Sequence, residues 1–435
     1  MEIFIIGLTA VLGLYMAWNI GANDVANSMA DAVGSKAITI RNAVIAAGIC
    51  EFAGAVLVGS QVTNTVRKGI VDPSILASLP GMTPEDAAVI LVLGMSAALL
   101  SAAFWLNIST LYGLPVSTTH SIVGAVAGFG IVAAGWQAVN WAKMGQIVAS
   151  WFISPVAGGI MAFIIFNYIS KSILGKEKPA QAAINRIPFI VFVMTAVVML
   201  ATVYKGLKHV TGDITWINDQ NTLIFSLVIS TVAAVIYYFF AKANLKDKVE
   251  LSIGKQNKAV EKMFVPLVIV SSCSVAFAHG ANDVANSVGP LAAIHHVLTT
   301  GAIDMKVPVP LWILSLGGIG IVLGLATYGY KVMSTVGSDI TEITPSRGVA
   351  ADIAATATVL ICTRLSLPVS TTHTLVGAIL GIGMAKGLGG INKRLVTSIF
   401  GSWIFTVPAA AIMSIVFFFI GKTFFYQTVL DVITR

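Results

Sequence analysis

The chain has 435 residues, of which 57% are hydrophobic and only 10% charged. A soluble domain carries about 25% charged residues, so a water-soluble fold is excluded and an integral membrane protein is expected. The net charge of +7 is read as loop Lys and Arg obeying the positive-inside rule, not as a nucleic-acid surface.

A membrane-spanning helix needs about 20 apolar residues. In chain order, the apolar runs predict twelve segments: 3–30, 42–63, 87–107, 115–134, 142–170, 187–207, 222–241, 263–289, 310–331, 348–365, 368–385 and 395–421. The chain begins directly in an apolar run without a basic region or cleavage site, so the first segment is read as a retained helix. The segment pairs 87–107/115–134 and 348–365/368–385 are short. Each is read as a helical hairpin whose tip lies near mid-membrane. Cys50, Cys273 and Cys362 have no metal-binding spacing and are read as small buried hydrophobes.

Basic residues set the orientation. Residues 242–262 carry six Lys and read as a solvated, cytoplasmic linker, with Lys171, Lys176, Lys178 and Arg186 on the same side. Asp213 and Asp219 then lie outside, as do both termini.

Two strings occur twice. Gly-Ala-Asn-Asp-Val-Ala-Asn-Ser spans Gly21 to Ser28 and Gly280 to Ser287, and Leu-Pro-Val-Ser-Thr-Thr-His spans Leu114 to His120 and Leu367 to His373. An even number of segments separates the two Asn-Asp helices, so they cross in opposite directions. This predicts an all-α membrane protein of two inverted repeats, an architecture of secondary transporters. The expected divisions are 1–170 for the first repeat, 171–262 for two linking helices and the Lys-rich loop, and 263–435 for the second repeat.

An Asp at the centre of a membrane helix costs about 2.5–3.5 kcal/mol, and this chain carries one in each copy of the string. Asn23, Asp24 and Asn27 share a helix face, and Asn282, Asp283 and Asn286 repeat them. Such oxygen-rich patches suit a hard cation such as Na⁺; the alternative is hydrogen bonding between helices. In the second string, Pro115 and Pro368 fit the first turn of a new helix. Ser117, Thr118 and Thr119, with Ser370, Thr371 and Thr372, then sit among free helix N–H groups, a cradle for a tetrahedral oxyanion. The alternative is an ordinary N-cap. His120 and His373 read as hydrogen-bonded struts. His279 stands where the first repeat has Ile20 and receives no role. Glu51 and Asp352 are read as cation ligands, proton sites or helix–helix contacts, and Arg364 as a core charge or a snorkelling side chain.

Two aspartates and an oxyanion cannot gather in low dielectric without cations, so coupled cation entry is expected. Both strings resemble those of the inorganic phosphate transporter (PiT) family, and the resemblance spans nearly the whole chain. It implies Na⁺/phosphate symport, or H⁺ coupling as in some bacterial members. It also implies cation ligands at Asn23, Asp24, Asn27, Asn282, Asp283 and Asn286, and phosphate ligands at Ser117–Thr119 and Ser370–Thr372. The family's membrane acids are matched by Glu51 and Asp352, although it often has Glu at the latter. The short linker looks prokaryotic, and a plasma-membrane location follows.

The expected partners are phosphate, Na⁺ and the bilayer, with no nucleic acid; the Gly-rich helices could support a homodimer. No cofactor is expected beyond co-transported Na⁺. The rival readings are H⁺-coupled uptake of a neutral metal–phosphate complex, with Glu51, His120 and His373 carrying protons, a passive anion channel, and an aspartyl hydrolase using Asp24 and Asp283. The last leaves the repeated amides and hydroxyls without a task, so no enzyme is expected. Sulfate is tetrahedral too and is not distinguished.

Overall fold

The computed structural model describes residues 2–68, 70–71, 75–76, 78–202, 219–303, 309–364, 369–387 and 391–434. Leu367, Pro368, Asp213 and the side chains of Asp219 and Arg364 lie outside the described residues. The described chain is helical: α1 Glu2–Ile20, α2 Ala26–Gly34, α3 Ile40–Lys68, α4 Pro84–Leu111, α5 Thr118–Ala134, α6 Trp141–Ile169 and α7 Pro179–Thr202. After these come α8 Asp219–Leu245, α9 Ile253–Asp283, α10 Ala285–Thr300, α11 Leu311–Ser334, α12 Pro345–Arg364, α13 Thr371–Lys386 and α14 Lys393–Ile433. Among the described residues, nine helical stretches are long and apolar enough to cross a membrane. The described residues of all twelve expected segments lie mostly on helix.

Four expectations change in detail. The first hairpin arm is not short: α4 has 28 residues, about 42 Å at 1.5 Å per residue. Its early start comes from a capping box, in which Thr83 and Asp86 exchange side-chain and backbone hydrogen bonds ahead of Pro84. Pro115 is not in the first turn of α5. It lies in the extended segment before the Ser117 N-cap, and its carbonyl accepts from Trp403 Nε1 at 2.9 Å. The Lys-rich stretch 242–262 is mostly helix, because α9 begins at Ile253. Gln256 makes this possible. It donates to the carbonyls of Val249 and Leu251 and accepts from the Ala180 amide, tying the turn between α8 and α9 to the start of α7. Finally, α14 runs for 41 residues, beyond the predicted end at 421 and twice the length that one crossing requires.

Small residues decide the packing, since lipid supplies no hydrophobic drive between helices. The hairpin α4–α5 packs on α14, and the hairpin α12–α13 packs on α6. In α5, Gly124 and Gly128 lie against the backbone of Val407 and Ala411, where an added Cβ would come within 2.5 and 2.4 Å of a carbonyl oxygen. In α13, Gly377 and Gly381 meet Pro155 and Gly159 in the same way, at 2.2 and 2.0 Å. Each hairpin is thus clasped by a helix from the distant half of the chain. Ser101 and Trp105 add hydrogen bonds from α4 to Ala410 and Thr406 of α14.

Because the obstacle at Gly381 is backbone, a side chain there has no room to turn aside. Gly381→Val is expected to destabilise the protein by at least about 1–3 kcal/mol, read as loss of the monodisperse peak in detergent size-exclusion chromatography. Gly7→Val, with nothing within 4 Å of its Cβ position, should leave that peak unchanged.

Candidate functional site

The first Asn-Asp string does not continue the α-helix. Gly21–Val25 forms a π-helical turn between α1 and α2, a device frequent at functional sites. The second string breaks at Val284, between α9 and α10. Both irregularities bring their aspartates to one place, opposite the N-termini of α5 and α13. Asp24 and Asp283 are each 2% exposed.

Asp24 Oδ2 accepts from Thr118 Oγ1 at 2.9 Å, and Oδ1 accepts from Thr372 Oγ1 and from Asn27 Nδ2 at 3.2 Å. Asp283 Oδ1 accepts from Asn282 Nδ2 at 3.0 Å, Asn286 Nδ2 at 3.1 Å and, more weakly, Thr119 Oγ1 at 3.5 Å. Asn286 also donates to the Thr118 and Thr119 hydroxyls, both at 3.2 Å, and Asn27 to Thr372 at 3.5 Å. Each aspartate therefore receives the second threonine of the hairpin from the other half of the chain.

His279, unassigned from sequence, is the hub. Its Nε2 lies 2.7 Å from Asp283 Oδ2 and 3.5 Å from Asp24 Oδ2. It forms an aligned hydrogen bond with neither, since Nε2 and Asp283 Oδ2 both lack a hydrogen-bond partner. Its Nδ1 is 3.1 Å from the fully buried Glu51 carboxyl. The signal was present in the sequence: His279 precedes Asp283 by four residues and so shares its helix face. Asp24, His279 and Asp283 each offer a ligand atom within 4.8 Å of the others. Buried oxygens of Asn27 (Oδ1), Glu51 (Oε1) and Asp283 (Oδ2) have no hydrogen-bond donor. Beside them is a small cavity of about 50 Å³, lined by Asp24, Asn27, His279, Thr371 and Thr372 on its polar side.

Asn23, Ser117, Ser370, Asp352, His120 and His373 stand apart from this cluster. Asn23 braces the first hairpin. Its Oδ1 accepts from the Val116 amide at 3.0 Å, and its Nδ2 donates to Thr110 Oγ1 at 2.9 Å and the Leu114 carbonyl at 3.0 Å. Ser117 and Ser370 are N-caps, accepting from the amides of His120 at 3.3 Å and His373 at 3.2 Å. Thr119 and Thr371 are the half-buried hydroxyls of the two tips. Asp352 lies away from the hub, taking hydroxyls from Ser271 and Ser272. His120 and His373 are packed as aromatics rather than as hydrogen-bonded struts. Their rings meet edge to face at 4.9 Å, and His373 stacks on Trp403 at 3.7 Å.

The capping role of the serines has a measurable signature. Ser117→Ala and Ser370→Ala should each lower thermal stability by about 1 kcal/mol, and the Gly variants by only a few tenths. An unchanged melting temperature with lost uptake would instead assign those hydroxyls to the transported ion.

Comparison with known proteins gives the family. Residues 20–414 match the phosphate transporter family (PHO4). The chain is 46% identical over 411 residues to a protein of Pyrococcus abyssi named "Putative phosphate permease", covering 94% of this chain and 96% of that one. A protein of the same name from Haemophilus influenzae is 43% identical over 424 residues, covering 97% and 98%. A solved structure titled "The sodium-dependent phosphate transporter" superposes with a TM-score of 0.84 at 40% identity, covering 97% of this chain and all of that one. With the motifs, the helices and these relatives in agreement, the chain belongs to the phosphate transporter family, as a multi-pass membrane transport protein and not an enzyme.

Proposed function

We propose that this protein imports inorganic phosphate together with Na⁺ by alternating access. The observation that carries the reading is the exchange at the hub: Asp24 with Thr372, and Asp283 with Thr119, each pair joining the two halves. The correspondence supports inverted repeats over 1–170 and 263–435, with 171–262 as the link. It also supports a substrate held where the halves meet.

Charge governs the mechanism. The hub gathers the carboxyls of Asp24, Glu51 and Asp283 around one imidazole. Phosphate adds about one to two negative charges, which a buried site does not tolerate unless cations accompany it. The donor-less oxygens of Asn27, Glu51 and Asp283 suit Na⁺ as oxygen ligands. Once cations satisfy the aspartates, the threonine hydroxyls now held by them are free to turn to phosphate oxygens, at two helix N-termini that favour an anion. Each ion then strengthens binding of the other, a reciprocal coupling. The neighbour titled as sodium-dependent supports Na⁺ as the driving cation. The basic segments around Lys171–Arg186 and Lys242–Lys262 support a reading with those turns in the cytoplasm and the termini outside, in a plasma membrane.

The test is phosphate uptake into liposomes with the Na⁺ and pH gradients varied independently. Accumulation above equilibrium driven by Na⁺ at equal pH is the expected result. Accumulation driven only by a pH gradient replaces Na⁺ by H⁺, with the Glu51–His279–Asp283 chain as the proton-bearing groups. Uptake that never exceeds equilibrium makes the protein a channel.

A further inference from the structure

The segment that leads into the first hairpin tip, Leu114 to Val116, lies outside any helix, so its carbonyls have no helical amide to accept from. At membrane depth such groups must find partners within the protein. From the hub side, Asn23 donates to the Leu114 carbonyl and accepts from the Val116 amide, both at 3.0 Å. The carbonyl between them, that of Pro115, accepts from Trp403 Nε1 of α14 at 2.9 Å. Trp403 is 2% exposed, and its indole face stacks on the His373 ring of the other hairpin at 3.7 Å and 16°. One side chain therefore meets both hairpin tips: Pro115 lies three residues before Thr118, and His373 directly follows Thr372.

Filling space does not by itself require this bond. Trp151 stands on α6 where Trp403 stands on α14, the eleventh residue from Trp141 and from Lys393 respectively. It faces the His120 ring as Trp403 faces that of His373. Yet the Trp151 and His120 rings lie 5.8 Å apart at 50°, and the buried Trp151 Nε1 has no hydrogen-bond partner among the described residues. Trp403 thus makes a directed contact that its counterpart does without. The consequence is preorganisation. With α5 tied to α13 through Trp403, the spacing between Thr118 and Thr119 on one tip and Thr371 and Thr372 on the other is set before an anion arrives, which lowers the ordering cost of binding.

We infer that Trp403 is a positioning residue for the transported anion, holding the two threonine-bearing tips at a fixed spacing through the Pro115 carbonyl and the His373 ring. Its single N–H is already given to backbone, so it acts through the tips and not by touching the anion. This role rests on the reading of phosphate held at those tips, and it falls on a helix that neither repeated string marks.

The test is titration of radiolabelled phosphate onto the purified full-length protein in Na⁺ buffer, read as a dissociation constant and a number of sites. Trp403→Phe keeps a ring against His373 and removes the donor to Pro115. Its dissociation constant should rise about two- to tenfold, the worth of one net hydrogen bond, with the number of sites unchanged. Trp105→Phe removes a comparable indole bond between the same hairpin and α14, to Thr406 at 3.0 Å, away from the tips. It should bind phosphate as the wild type does. A wild-type constant in Trp403→Phe overturns the role. So does a loss of sites at unchanged constant, the mark of a merely structural residue, or an equal rise in Trp105→Phe. If Trp403→Phe does not elute as a folded species, benzothienylalanine in place of Trp403, with the volume of the indole and no N–H, is read against the same outcomes. A wild type that binds no phosphate rejects the substrate reading whatever the variants do, and the positioning role with it. Failure of Na⁺-driven accumulation alone leaves this titration intact.

Discussion

Asp24→Asn should lower the initial rate of Na⁺-driven phosphate uptake at least about 30-fold, with the protein still eluting as a folded species. Removing one member of a buried, hydrogen-bonded charge set costs at least about 2 kcal/mol in binding, and about 1.4 kcal/mol corresponds to a factor of ten. The carboxamide keeps the shape: its oxygen can accept from one of Thr118 and Thr372, and its NH2 can donate to the other hydroxyl, which turns to accept. The fold should therefore survive while the charge proposed to hold a cation is gone. Asp283→Asn should behave alike, because Asp283 stands in the same relation to Thr119 and Asn286. Radiolabelled phosphate uptake at fixed pH, with and without Na⁺, reads the effect. Wild-type uptake in either variant removes the aspartates from cation coupling.

His279→Ala should destabilise the protein by about 3–5 kcal/mol in Na⁺-free buffer, the range for stranding buried charges by deleting one partner. The imidazole is the only basic group in contact with Asp24, Glu51 and Asp283 among the described residues. Without it, three carboxyls face one another across a site from which water is largely excluded. On the proposed symport, Na⁺ binds the folded form and not the unfolded one, so it should restore stability by mass action. The Na⁺-induced rise in melting temperature should accordingly be larger in His279→Ala than in the wild type. Equal melting of the two proteins in choline buffer would show that the imidazole does not offset these acids.

Particular residues show what could be read before the fold was seen. Asp24 and Asp283 stood out because an acid inside hydrocarbon-length helix is expensive wherever it lies, and its repetition marked the pair. Thr118, Thr119, Thr371 and Thr372 were legible for the same reason, as hydroxyls following a helix break. Asn23 was placed with the cation ligands, since it shares a motif with Asp24. The π-helical turn at Gly21–Val25 instead turns it to the hairpin backbone. Ser117 and Ser370 were open between cap and ligand, and local backbone geometry seats them as caps.

Amino-acid order alone determined which stretches enter the bilayer and which polar groups they carry there. Both follow from transfer free energies that belong to each segment separately. The meeting of His279 with three acids and the exchange of threonines between halves were decided by tertiary structure. They depend on where helices cross, and those crossings are set by glycines such as Gly128 and Gly381, which let one backbone lie against another far along the chain.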